Sequence, residues 1–277
     1  MSMNIFRLCG DMCHVLSHFL LLRRIYVSRN AQGISLRSQE LYLLVFLSRY
    51  TDLLTTFYGI YNSVMKSLYI VSTAGIVWTI RRKEPICSTY DASQDTFRHW
   101  KCIVLPCLVL AVLTHVISEE IIWELHFIAQ ELLWVFSIYL EAVAILPQLD
   151  LLRRYRSVEN LTANYVFFRG VYRGFYILNW IYRAHYEPGY RHHYVVYACG
   201  CMQVLLYVDF FYHWFLSRRE GRELRYGDEG DTEYEFDVNE LRNGDNSTSL
   251  IGEGTLRMRG RLDASDDDDE ARPVLVV

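Results

Sequence analysis

The sequence contains no glycine-rich phosphate loop, no Gly-x-Ser-x-Gly elbow and no His-Glu-x-x-His helix. These absences exclude the common nucleotide-binding, serine-hydrolase and zinc-peptidase arrangements, each of which needs its residues at set spacings. Isolated His and Ser residues inside apolar segments do not replace them, so no enzyme is expected. The seven cysteines match neither a zinc site nor a secreted disulfide framework. Cys9, Cys102, Cys107, Cys199 and Cys201 lie in or beside apolar segments and read as small packing residues. The pair His192-His193 reads as a loop pair and not a metal site, and no cofactor, metal or nucleic acid is expected. A cleavable leader is also missing from this reading. The first apolar stretch is interrupted by Asp11 and His14, and its basic pair, Arg23-Arg24, follows instead of preceding it.

What is present divides into two materials near Ser217. Before it, apolar segments rich in Leu, Ile, Val, Tyr and Phe follow one another; after it come Gly, Asp, Glu and Arg with few aromatics. From Ser217 onward there are nine Arg and 17 Asp or Glu, a net of about −8, against −4 for the whole chain. Residues 217–277 are therefore expected to be a disordered acidic tail, because they bury too little apolar surface to offset chain entropy.

A spanning helix needs about 20 mostly apolar residues. Seven such segments are read, at 5–25, 39–60, 63–80, 100–118, 126–150, 163–184 and 194–216. Basic residues alternate between the connections. Arg23, Arg24, Arg29 and Arg37 fill the first; Arg81, Arg82, Lys83, Arg98 and Lys101 the third; Arg153, Arg154 and Arg156 the fifth. The second and fourth connections are neutral or acidic. The positive-inside rule then predicts a lumenal N-terminus and a cytosolic tail. Leu21-Leu22-Arg23-Arg24 returns as Leu151-Leu152-Arg153-Arg154, which predicts two three-helix units joined by a linker helix. Transporter-type folds built this way hold their site between the units.

Charges recur inside these spans. Arg7, Asp11 and His14 share one helix face; Arg49 and Asp52 sit in the second span; Glu131, Trp134 and Glu141 share a face of the fifth. Tyr172, Arg173, Tyr176, Trp180 and Arg183 lie in the sixth. A charge at mid-bilayer costs roughly 2.5–3.5 kcal/mol even on the lenient insertion scale, so such residues usually face an internal cavity. Arginine forks match carboxylates. Several converging arginines imply an anionic ligand with more than one carboxylate, and a carboxylate beside an indole suits one cation on that ligand. The alternative is internal pairing: Arg7 with Asp11, Arg49 with Asp52, Arg183 with Glu187. The aromatic stripe Tyr172, Tyr176, Trp180 serves packing or the site.

Several longer strings carry a family resemblance. They are Asn4-Ile5-Phe6-Arg7 with Gly10-Asp11, Ser48-Arg49-Tyr50-Thr51-Asp52, Asp95-Thr96-Phe97-Arg98, the run from Phe136 through Glu141 to Pro147-Gln148, Tyr176 to Arg183, and Asp209-Phe210-Phe211-Tyr212. Together they resemble the KDEL receptors, the endoplasmic-reticulum-lumen protein retaining receptors, over about residues 4–216. The resemblance implies an all-α membrane protein with seven helices, similar to the sugar-exporting and PQ-loop transporters. It implies pH-dependent binding of C-terminal Lys-Asp-Glu-Leu-type signals in the Golgi and return of their bearers to the endoplasmic reticulum, with retrograde vesicle coat proteins as cytosolic partners.

By the same resemblance, Arg49 takes the terminal carboxylate beside Tyr50, Arg7 and Arg183 take the acidic side chains, and Glu131 takes the ligand lysine near Trp180. His14 senses protons, Glu141 and Tyr172 form a buried pair that responds, and Asp209 serves retrograde traffic. The chain departs from the family at Thr56, usually Asn, and in extra residues around 118–130. Its tail is long and acidic where a short lysine-rich one is usual. Ser265, before Asp266-Asp267-Asp268-Asp269-Glu270, suits an acid-directed kinase, and Val276-Val277 resembles a forward export signal. The alternative function is a small-solute transporter of the PQ-loop class, which Pro147-Gln148 and the repeat support.

Overall fold

The computed structural model describes residues 4–57, 59–117, 125–155, 157–188, 190 and 193–225. The tail from 226 onward lies outside these, with Asn246, Ser265 and Val276-Val277, and so do His192 and residues 118–124 of the insertion.

Among the described residues eight α-helices follow one another: α1 (Ile5–Ser28), α2 (Leu36–Arg49), α3 (Ile60–Arg82), α4 (Leu105–Ile117), α5 (Leu125–Val143), α6 (Leu146–Tyr155), α7 (Asn160–Tyr186) and α8 (Tyr194–Glu220). Asn4 caps α1 by accepting from the Arg7 amide, and Ser35 caps α2 by accepting from the Ser38 amide. Gly221, at φ 67°, ends α8 in the left-handed conformation that glycine adopts without steric cost. The chain then turns back so that β2 (Leu224–Arg225) pairs antiparallel with β1 (Ser157–Val158).

Two expected spans are broken, and the second break shapes the site. The segment read as 126–150 is two helices, because Pro147 cannot donate to the preceding turn; it sits instead in the first turn of α6, where no donor is needed. The segment read as 39–60 stops as α-helix at Arg49 and continues as a 3₁₀ turn over Thr51–Leu54. That turn places Arg49, Tyr50 and Asp52 around one cavity.

Polarity is inverted relative to a water-soluble domain. Asp11, His14, Gln39, Glu141, Gln148, Arg169 and Arg173 are buried, while Val71, Val116 and Ile117 are each 70% exposed or more. Apolar side chains outside and ionisable ones inside suit lipid as the surrounding solvent. Among the described residues, five segments are long and apolar enough to cross a membrane: α1, α3, Trp100–Ile117, Ala129–Tyr155 and α8. The protein is thus an all-α membrane protein. Of the other two expected spans, α2 has only 14 residues, and the 27-residue α7 carries Arg169, Arg173 and Arg183.

The helix pairs repeat a pattern. α1 packs along α7, α2 along α3, and α1 touches α3; correspondingly α5 packs along α2, α7 along α8, and α5 touches α8. Exchanging α1 with α5, α2 with α7 and α3 with α8 reproduces the same set of pairs. Close approach is achieved with glycine. A Cβ on Gly10 would lie 2.9 Å from the Tyr176 ring, and one on Gly200 would lie 2.7 Å from the Trp180 ring.

Candidate functional site

α1, α2, α3, α5, α7 and α8 enclose a cavity of about 650 Å³. It contains five cationic side chains, Arg7, Arg49, Lys66, Arg173 and Arg183, and three carboxylates, Asp11, Asp52 and Glu141. The excess of positive charge lies in a space walled by Tyr, Trp and Phe rings, where interactions between charges are stronger than in water.

Its deepest part is a cluster around Glu141, which is 4% exposed. One carboxylate oxygen accepts from Arg49 Nη1 at 2.5 Å. The other accepts from the Tyr172 hydroxyl at 2.5 Å and lies 2.5 Å from Arg173 Nη2. Arg49 also donates to the Ser137 hydroxyl and carbonyl, both at 3.0 Å, so α2 is tied to α5 at this level. Gln203 of α8 donates to the Tyr172 hydroxyl at 3.4 Å. Two guanidinium groups against one carboxylate leave a net cation that a ligand carboxylate would neutralise.

A second cluster surrounds Asp11. Its carboxylate accepts from Tyr61 at 2.8 Å and from Tyr176 at 2.5 Å, with Arg7 Nε 4.0 Å away. Arg7 donates to Asn62 Oδ1 at 2.9 Å. The His14 ring lies between those of Tyr69 and Tyr172, with centroids 4.4 and 4.3 Å away, and the Tyr172 plane is tilted by only 7°. Asn4 donates to Asn179 at 2.6 Å, joining the start of α1 to α7.

Thirteen charged or aromatic residues singled out from the sequence line this cavity: Arg7, Asp11, His14, Arg49, Tyr50, Asp52, Trp134, Glu141, Tyr172, Arg173, Tyr176, Trp180 and Arg183. Glu131 is not among them. It faces α4, with its carboxylate 3.9 Å from His115, and the carboxylates that line the cavity are Asp11, Asp52 and Glu141. Asp209 lies elsewhere on α8, half-exposed, where it accepts from Arg153 at 2.8 Å and stands 3.7 Å from His213. Internal pairing is partial. Arg183 meets Glu187 at 2.7 Å and Arg7 lies loosely by Asp11, but Arg49 takes Glu141 while Asp52 takes Lys66 at 2.6 Å.

The face of α3 was missed by sequence reasoning. Tyr61, Asn62, Lys66 and Tyr69 all line the cavity. Their signal was a set of polar residues at helical spacing within an otherwise apolar span. Pro147-Gln148, by contrast, is structural. Gln148 accepts from the Ser35 amide and donates to the Gly33 carbonyl, both at 2.9 Å, and so secures the start of α2 outside the cavity.

The model of the family described as ER lumen protein retaining receptor matches residues 30–183. ER lumen protein-retaining receptor B of Arabidopsis thaliana is 48% identical over 223 residues, covering 80% of this chain and 99% of that protein. The receptor of Petunia hybrida is 49% identical over 222 residues, covering 80% and 98%. That of Drosophila melanogaster is 42% identical over 223 residues, covering 80% and 99%.

Proposed function

The chain belongs to the ER lumen protein retaining receptor family, and from that premise we propose that its cavity binds C-terminal Lys-Asp-Glu-Leu-type signals of escaped lumenal proteins. The observation that carries this reading is the convergence of Arg7, Arg49, Arg173 and Arg183 on one cavity among aromatic rings. A Lys-Asp-Glu-Leu terminus offers a terminal carboxylate, two acidic side chains and one ammonium, which complements a cavity with excess cations and a few carboxylates.

Arg49 takes the terminal carboxylate beside Tyr50, exchanging part of its contact with Glu141. Arg7 and Arg183 take the acidic side chains, and Arg173 and Tyr172 hold Glu141 in place while Arg49 is shared. Tyr176 and Trp180 wall the site. Asp52 receives the ligand ammonium, displacing Lys66; it is preferred to Glu131 because it lines the cavity. Binding strengthens as pH falls through protonation of His14, with the Glu141–Tyr172 pair responding, so that cargo is taken up in the mildly acidic Golgi and released in the endoplasmic reticulum.

The seven-span arrangement of two three-helix units around the cavity, with a lumenal N-terminus and a cytosolic tail, is part of the same reading. The alternating basic connections and the exchange symmetry of the helix pairs support it. Retrograde coat proteins would then meet the face that carries Asp209. The decisive experiment measures saturable binding of a labelled Lys-Asp-Glu-Leu peptide to purified protein, beside proton-coupled uptake of sugars and amino acids into vesicles. Uptake without peptide binding would transfer the cavity to the transporter class.

A further inference from the structure

Beneath the cavity lies a charged side chain that ligand recognition does not use. Arg169 of α7 is fully buried, at 0% exposure. Its Nη1 is 2.7 Å from His14 Nε2, and its guanidinium carbon lies 3.8 Å from the centroid of the Tyr42 ring. Its Nε has no hydrogen-bond partner among the described residues, and none of the ion pairs among them includes it. The groups around it are tyrosines: Tyr42, Tyr165, Tyr172 and Tyr207. The cation is therefore held against the face of the Tyr42 ring and by one imidazole lone pair.

That contact dictates a protonation state. A guanidinium donates five hydrogens and accepts none. His14 Nε2 must then be the acceptor, so the neutral ring carries its hydrogen on Nδ1. His14 can gain a proton only at Nε2, the atom that Arg169 occupies. His18 is placed differently. Its Nδ1 donates to the His14 carbonyl at 3.0 Å, and its Nε2 meets the Thr73 hydroxyl at 3.1 Å. A hydroxyl serves as donor or acceptor, so protonating His18 breaks no bond.

The other groups facing His14 leave the competition in place. α1 contributes His18, with Asp11 one turn away taken up by Tyr61 and Tyr176; α2 contributes Arg49, and Tyr42 against Arg169; α3 contributes Tyr69. α7 adds Tyr172 and Arg173, α5 places Glu141 behind Tyr172, and α8 presents Tyr207 to Arg169. Glu141, the acidic group in this layer, is already engaged by Arg49 and Arg173.

We propose that Arg169 is a positioning residue: it holds His14 as the neutral Nδ1–H tautomer and sets how acidic the compartment must be before the signal binds. A proton on His14 has to displace the guanidinium toward the Tyr42 ring. This rests on the receptor reading above and adds to it the group that sets the pH response.

The test compares binding of a free-acid Lys-Asp-Glu-Leu peptide to the purified full chain from pH 5 to pH 8. Arg169→Met should move the pH midpoint of binding upward by about one unit or more. It should leave affinity at the acid end within about threefold, as uniform loss would mark a merely structural role. Combining it with His14→Ala should abolish the shift. An unchanged midpoint in Arg169→Met, or an equal shift without His14, would overturn the proposal. Should that variant fail to fold, nitrogen-15 NMR of histidine-labelled wild-type protein decides, with His14→Ala identifying the signal. An unprotonated Nε2 at neutral pH supports the proposal, and a hydrogen on Nε2 ends it. A wild type that binds no such peptide at any pH would defeat the receptor reading, whereas the tautomer would still report on the Arg169 contact.

Discussion

Arg49 on α2 and Glu141 on α5 meet at 2.5 Å, although 92 residues separate them in the chain. The bond joins α2 to α5 at the floor of the cavity. It also leaves Arg49 as the group a ligand carboxylate must share. Arg49→Ala should abolish binding of a free-acid peptide, a loss of about 2–5 kcal/mol for a buried charge pair deprived of one partner. Calorimetric titration with free-acid and amidated peptides checks it: the amidated form should bind wild type poorly. Equal affinity for the two forms would remove the terminal carboxylate from Arg49.

His14 is walled by Tyr69 and Tyr172 and lies one turn from Asp11. An ordinary imidazole titrates near pH 6.5, between the acidity of the two compartments the receptor would serve. Peptide affinity should rise as pH falls, and linkage requires that peptide binding take up protons. His14→Ala should flatten the profile and weaken binding under acidic conditions, while His193→Ala leaves it intact. Proton release measured on binding would contradict the assignment.

Gly10 allows α1 to touch the ring of Tyr176, which donates to Asp11. Gly10→Ala should lower the unfolding midpoint, with a cost of about 1–3 kcal/mol for overpacking. It should also weaken peptide binding by displacing Tyr176 from the cavity wall. A variant as stable and as tight as wild type would show that α1 and α7 have slack at this level.

Asp209 lies outside the cavity and is half-exposed beside Arg153. An exposed pair of this kind contributes about 0–1 kcal/mol. Asp209→Asn should therefore leave peptide affinity and thermal stability unchanged and alter only the distribution of the protein between Golgi and endoplasmic reticulum. Reduced peptide affinity would make it part of the binding machinery.

The tail and the topology are tested together. If the tail is cytosolic, the sequon Asn246-Ser247-Thr248 should carry no sugar, and treatment with a glycosidase should leave mobility unchanged. Deleting residues 263–277 should shift the steady-state location if the acidic run and Val276-Val277 act in sorting.

Much of this was legible in the chain itself. Helix content follows from apolar runs of bilayer length, and the position of each helix from where those runs are punctuated. Arg7, Arg49, Arg173 and Arg183 declared themselves because a charge in an apolar span is costly and needs a use. Which charge met which partner was not legible, because helical spacing orients a side chain relative to its own helix and not to its neighbours. The alternative of internal pairing put Arg49 with Asp52, three residues away, whereas the turn after Tyr50 gives Asp52 to Lys66 and leaves Arg49 to Glu141. Glu131 was read onto the ligand face, but the packing of α4 against α5 set it beside His115. Arg169 passed unremarked in the sequence beside Arg173. Only the crossing of α1 over α7 brought its guanidinium to the one nitrogen of His14 that can take a proton.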